Sequence, residues 1–409
     1  MQPNHEIKSQ EDLLSHFGSS KQLQILNLQQ MENLLEMNVP PEVWEDASNR
    51  NLLSFSQEFV QETEEFTFNY REIKHIYLVS FFTNLTELYL SGNQISDISS
   101  ISNLKNLKNL YLSYNCIEDI SALQSLPDLT HLYLSYNKLT SYTLALPNLV
   151  ELFLSFNKLQ DKSGLQHSPK LERLDLTETE TTDLSIIPHQ PFGLKELYLS
   201  SNNITKISYL SYFVDLQRLD LSCNKELLNI EPLKFCTQLT ELNISETSIS
   251  DIWPLLFIKN LITLIIAKTQ VVDLHPLQYL YQLESIYAYD ACIIDVSPLS
   301  KLTQLKTLHF RNNKINNRDT LQHHKNFSEY DFSDQQVPTT DELQFYSKIL
   351  SVHSSQKQIR KIQDKNRISK IRESMTRQRE YVNLQINEQI QVMNKRIEII
   401  FSQNSDADQ

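Results

Sequence analysis

Asp175 and Asp220 are the side chains best placed for acid–base chemistry, because they hold equivalent positions two repeats apart in a recurring pattern. Two carboxylates separated by two strand spacings, roughly 9 to 10 Å, match on distance alone the pair of an inverting glycoside hydrolase. Such a pair works inside a deep pocket, and short, evenly spaced repeats do not build one. His323 and His324 are adjacent but lack a nearby carboxylate cluster, so they read as a surface pair rather than metal ligands. Cys116, Cys223, Cys236 and Cys292 are scattered without paired spacing and read as small buried or half-buried thiols. The chain has four glycines and no phosphate-binding loop, Gly-x-Ser-x-Gly elbow or His-Glu-x-x-His pair. The expectation is a non-enzyme with no catalytic residue, metal or cofactor.

Side chains suited to binding are more numerous. Tyr89, Tyr111, Tyr133, Phe153, Tyr198 and Tyr287 share one position of the pattern. Tyr114, Tyr136 and Phe156 widen this stripe on one margin, and Glu87, Glu151, Glu196 and Glu241 line the other. Exposed aromatics flanked by charge are typical of protein-binding hot spots, since they offer large contact area at low rotamer entropy. Aromatics aligned at one strand position can equally support one another across a sheet. Both readings stand on sequence alone. An acidic margin favours a basic or mixed protein partner.

The elements that position these residues are repeats. The stretches NLTELYLSGNQISDI, NLKNLYLSYNCIEDI, DLTHLYLSYNKLTSY and NLVELFLSFNKLQDK follow one another at a period near 22 residues. Leu88 and Leu90 alternate with Glu87, Tyr89 and Ser91, the two-residue period of a strand with one buried face. Asn93 stands where the chain must leave the strand, and a buried Asn there can bond the backbone of adjacent coils. Ile95 and Ile98 return to the same core. One coil cannot bury its apolar face alone, so coils must stack into a solenoid.

Counting the first apolar residue of each strand gives thirteen coils: Phe66, Leu88, Leu110, Leu132, Leu152, Leu174, Leu197, Leu219, Leu242, Leu264, Ile286, Leu308 and Tyr330, the last closing the array. At about 4.8 Å per strand the inner sheet is on the order of 60 Å long. Asn93, Asn115, Asn137, Asn157, Asn202, Asn224 and Asn313 form the ladder, whereas Thr179, Thr247, Thr269 and Ala291 replace it. Ala offers no hydrogen bond, so the coil at Ile286 is expected to be weaker or satisfied by a neighbour. Recurring Asp-Ile and Ser-Pro-Leu pieces on the outer side are too short for full helices and predict 3₁₀ turns and extended chain.

These coils resemble the 22-residue class of leucine-rich repeat found in the protein phosphatase 1 regulatory subunit type, with the repeats of bacterial internalins as a second resemblance. The likeness runs from about Phe66 to Val337. It implies an α/β leucine-rich repeat solenoid: a curved horseshoe with a parallel concave sheet and a 3₁₀ or extended convex side. It further implies a non-catalytic protein-binding scaffold, or alternatively a regulatory or targeting subunit of a protein phosphatase. No partner-contact residue is carried over from the phosphatase likeness.

Four regions are expected: a divergent amino-terminal cap over 1–65, the solenoid with its closing coil over 66–338, a helical or coiled-coil tail over 339–402, and a disordered end over 403–409. In the first, Asp12 to Phe17 reads as a short helix, Leu23 to Leu28 as a strand and Pro40-Pro41 as a break. The tail lacks Gly and Pro, and Ile368, Ile371, Met375, Val382, Ile386, Ile390, Met393, Ile397 and Ile400 give coiled-coil spacing with one stutter. It predicts a homodimer or docking on the solenoid. Its basic stretch contains Ile362, Gln363, Arg367 and Arg372, which resemble the calmodulin-binding IQ motif, though Ile368 stands where that motif prefers Gly. A net charge of −13 argues against nucleic acid or acidic membrane as partner of the whole chain. The longest apolar run, Trp253 to Ala267, is broken by Lys259 and Asn260, and the amino terminus is polar. A cytoplasmic location is expected, with the nucleus left open.

Overall fold

In a computed structural model the described residues are 24–26, 28–40, 42–43, 53–188, 193–322 and 327–339, together with 324 and 344. Each repeat places a single apolar residue at the centre of a three-residue strand. Thirteen such strands, from Glu65–Thr67 to Glu329–Asp331, form one parallel sheet whose order follows the sequence. The central residues pair in register, Phe66 with Leu88, Leu88 with Leu110, and so on to Leu308 with Tyr330. All thirteen are the positions counted from the sequence. Twelve of them, Tyr330 excepted, join one continuous apolar core with the leucines and isoleucines that follow each turn.

The asparagine ladder joins coil to coil. Asn115 donates to Leu112 O (3.0 Å) in its own coil and Leu90 O (2.9 Å) in the one before, and accepts from Ile95 N (3.0 Å). Thr179, Thr247 and Thr269 replace only the bond within the coil, donating at 2.7 Å to Leu176, Ile244 and Ile266 O. At Ala291 the neighbours compensate. The two carbonyls an Asn there would take, Ile266 O and Ala288 O, accept from Thr269 and Asn313. Gln335 supplies a final rung that the repeat template did not anticipate, reaching Phe310 O at 2.8 Å. Just ahead of each rung the chain adopts positive φ, at Tyr114 (59°), Tyr136 (57°) and Phe156 (56°) among others.

The outer side carries ten 3₁₀ turns among the described residues, joined by extended chain. Their Asp-Ile starts have a physical cause: the aspartate accepts the N–H two residues on, as Asp97 does from Ser99 (2.8 Å) and Asp295 from Ser297 (2.7 Å). The coil opening at Leu132 spans only 20 residues to Leu152 and has no such turn, with a Ser141–Asp161 bridge in its place.

Ahead of the array, strand Gln24–Leu26 pairs in parallel with Leu53–Phe55. Helix Leu28–Glu36, absent from the sequence reading, sends Met31, Leu34 and Leu35 into the solenoid core. Asn38 beyond it accepts from Lys74 N and donates to Glu72 O (3.2 Å), tying this segment to the first coil. The expected helix at Asp12 to Phe17 lies outside the described residues. The chain divides into two units, Met1–Val337 and Pro338–Gln409. The second contains the expected tail and, apart from residues 338, 339 and 344, lies outside the described residues.

Candidate binding surface on the concave sheet

On a three-residue strand the flanking side chains leave the core on the concave face, so each register position becomes a row. The central row opens with a stack. Tyr89, Tyr111 and Tyr133 lie 4.4 Å apart between ring centroids at 11°, and Phe153 continues at 4.8 Å. A second stack stands on the positive-φ positions, Tyr114 to Tyr136 at 4.2 Å and Tyr136 to Phe156 at 4.0 Å. Its rings are the more open, with Tyr114 50% and Tyr136 37% exposed. Between the stacks runs a lane of serines whose Ser135 and Ser155 are buried and joined by a 2.8 Å hydroxyl bond. This lane was missed from the sequence, although Ser113, Ser135 and Ser155 recur at one repeat position.

The stripe stops after Phe153. Asp175 takes the next place, and Tyr198 sits apart with its hydroxyl donating to Glu196 (2.9 Å). Tyr287 is farther still and stacks on His309 at 5.0 Å. The aromatic row is therefore one block in coils two to five plus two separate tyrosines.

The glutamate margin is an ion-pair ladder. Arg173 bridges Glu151 (2.9 Å) and Glu196 (3.0 Å), and Arg218 bridges Glu196 (3.5 Å) and Glu241 (3.1 Å). Arg173 also lies over the Phe153 ring at 5.5 Å, closing that end of the stack. Burial pushes the Glu151 carboxyl up, but bonds from Tyr133 and Arg173 outweigh it and hold it below the usual carboxylate range. Glu87 accepts from the Tyr89 hydroxyl (2.5 Å), which raises the pKa of that phenol. Three of the four glutamates thus already face arginines, and the acid of this face that lacks an ion pair among the described residues includes Asp175 and Glu178.

Asp175 and Asp220 lie on either side of Tyr198. Each is bound to its own turn, Asp175 by Thr177 N (2.9 Å) and Asp220 by Ser222 N (2.8 Å) and Oγ (2.6 Å). A cavity of about 590 Å³ farther along the sheet is lined by residues including His309, Arg311 and Asp331, and by neither of these two aspartates. Among the described residues no group of three or more His, Cys, Asp or Glu could hold a metal. His323 lies outside them. His324 differs from a surface residue: its ring stacks on Phe327 at 5.3 Å and Nε2 is shielded. Ile362, Gln363, Arg367 and Arg372 also lie outside the described residues.

A family model described as Leucine Rich repeats (2 copies) matches residues 83–125, 105–146 and 193–235. Comparison with curated proteins finds no match. Among solved structures, an internalin of Listeria monocytogenes aligns at 29% identity over 68% of this chain and 90% of its own, with a TM-score of 0.57. The functional domain of InlJ, also from Listeria monocytogenes, aligns at 19% identity over 70% of this chain and 66% of its own, with a TM-score of 0.58. The plant peptide hormone receptor RGFR1 in complex with RGF2 aligns at 23% identity over 64% of this chain and 46% of its own, with a TM-score of 0.53. The chain carries leucine-rich repeats and is similar in structure to internalins; the phosphatase-subunit resemblance is not shown by these similarities. The fold is typical of protein-interaction scaffolds, and no catalytic family is indicated.

Proposed function

We propose that this chain is a non-catalytic recognition scaffold that captures a protein partner on the aromatic block of its concave sheet. The observation that carries the reading is the pair of ring stacks, of which Tyr114 and Tyr136, on the turns that leave the strands, stay 50% and 37% exposed. Rigid, pre-stacked rings lose little entropy when a partner settles on them. The partner-contact set comprises Tyr89, Tyr111, Tyr133, Phe153, Tyr114, Tyr136 and Phe156. Glu151, Glu196 and Glu241 act with their arginines as a polar rim.

The test is affinity capture from lysate with wild type, a Tyr114→Ser/Tyr136→Ser variant and a convex Tyr212→Ser control, read by mass spectrometry. A dominant partner lost only in the concave variant is expected. Equal capture by all three would remove the concave block from the account. Regulation of a protein phosphatase is a narrower form of the same reading and predicts altered phosphatase turnover on adding the chain, whereas a scaffold co-purifies without changing it. The 339–402 segment is assigned to dimerisation or to a second, calmodulin-type partner. Sedimentation of the full chain and calcium-dependent titration of calmodulin against peptide 356–382 test those roles separately.

A further inference from the structure

The two stacks and the lane between them make a trench with a direction, a repeat and a charged end. In each stack the rings are nearly parallel, so their faces are occupied by neighbours and their edges form the walls. Ser113, Ser135 and Ser155 form the floor, with Ser135 and Ser155 buried. The trench runs across the strands, along the solenoid axis.

The rung spacing discriminates among slim chains. Rings 4.4 Å apart in the central row repeat every second coil at about 9 Å, and those of the second row at about 8 Å. Polyproline II repeats every three residues at about 9.3 Å, so equivalent residues fall on alternate rungs. A β-strand repeats at about 6.7 Å and comes back into register only after three rungs. Polyproline II also leaves its carbonyls unbonded, and Ser113 and Ser135 have hydroxyl protons to give them, that of Ser155 being already donated to Ser135.

One end of the trench is acidic. Past Phe153 and Phe156 the same two row positions hold Asp175 and Glu178. Neither forms an ion pair among the described residues, and Asp175 is bound only by its own turn at Thr177 N (2.9 Å). Both carboxylates are near enough to contribute to the raised pKa of the Tyr136 hydroxyl, after burial and the bond with Tyr114. At the other end the second wall is broken by Gly92, over which the Tyr70 ring lies.

We propose that this trench receives a proline-rich segment of the partner in the polyproline II conformation, with an arginine or lysine of that segment over Asp175 and Glu178. The inference rests on the protein-capture reading and narrows it to one class of partner sequence.

A phage-displayed random dodecapeptide library, panned on the full chain, tests it. Parallel pannings use Tyr114→Ser/Tyr136→Ser and Asp175→Asn/Glu178→Gln, each first shown by circular dichroism to keep the wild-type fold. Wild type is expected to enrich peptides with prolines three residues apart and a basic residue beside them. The aromatic variant should weaken the best such peptide by about tenfold or more in fluorescence anisotropy. The acid variant should keep the proline spacing and lose the basic preference. Peptides that depend on Tyr114 and Tyr136 but lack prolines would overturn the inference and leave protein capture standing. Loss of proline spacing without loss of the basic preference in the acid variant would also overturn it. Enrichment indifferent to Tyr114 and Tyr136 would overturn both.

Discussion

The asparagine ladder makes a graded prediction because its rungs are not equally redundant. Asn115 shares both of its acceptors: Leu90 O also accepts from Asn93, and Leu112 O from Asn137. Asn115→Ala therefore strands one buried group, Ile95 N. Asn224 stands before a threonine coil, and that changes the count. Leu199 O keeps Asn202, but Leu221 O has no second donor because Thr247 bonds Ile244 O instead. Asn224→Ala thus strands Leu221 O and Ile204 N. At about 1–3 kcal/mol per unsatisfied buried group, Asn115→Ala should cost about 2 kcal/mol and Asn224→Ala about 4 kcal/mol. Asn224→Thr should restore the Leu221 bond, as Thr247 does for its own coil, and fall near 2 kcal/mol. Equilibrium urea unfolding, followed by far-UV circular dichroism and tryptophan fluorescence, measures all three against wild type. Equal losses from the two alanine variants would refute the redundancy argument.

Three further outcomes follow from the same contacts. Glu151 is held below the carboxylate range, so its contribution to stability is whole above the usual value of 4.5 and is lost as pH falls through the lowered folded value; Glu151→Gln should flatten that part of an acid titration by up to about 1 kcal/mol. Burial pushes the Cys236 thiol up to about 12, so a thiol reagent at pH 8 should label Cys116, Cys223 and Cys292 in the folded chain, and Cys236 only in urea. A Cβ on Gly164 would meet Leu144 N and O at 2.7 Å, whereas one on Gly92 would meet only the Tyr70 ring, which can swing aside. Gly164→Ala should therefore cost about 2–3 kcal/mol and Gly92→Ala about 1 kcal/mol in the same urea assay.

What the sequence reveals here follows from how local its causes are. The centre of every strand, from Phe66 to Tyr330, was legible because one buried residue recurs at a fixed place in each coil. The outer turns were legible from Asp-Ile, since the capping bond spans two residues. The ion-pair ladder was not, because Glu151, Arg173, Glu196, Arg218 and Glu241 are about 22 residues apart and meet only across the sheet. Choosing glutamates by type rather than reading the whole row made a paired rim look acidic. Helix Leu28–Glu36 was overlooked where the repeat template no longer applied, although Met31, Leu34 and Leu35 carry helical spacing. The aromatic block was picked out by composition, but its division into two stacks depends on positive φ at Tyr114, Tyr136 and Phe156, marked in the sequence only by Gly92 at the same place one coil earlier. The closing coil is the loosest fit to the template: Tyr330 occupies a core position yet is 68% exposed.

Site-specific photo-crosslinking tests the central claim most directly. A benzophenone amino acid replaces Tyr114 on the concave block in one protein and Tyr212 on the convex side in another, and both are irradiated in lysate. The account predicts a discrete partner adduct from position 114 and none from position 212. Adducts from position 212 alone would place recognition on the opposite side of the solenoid and contradict it.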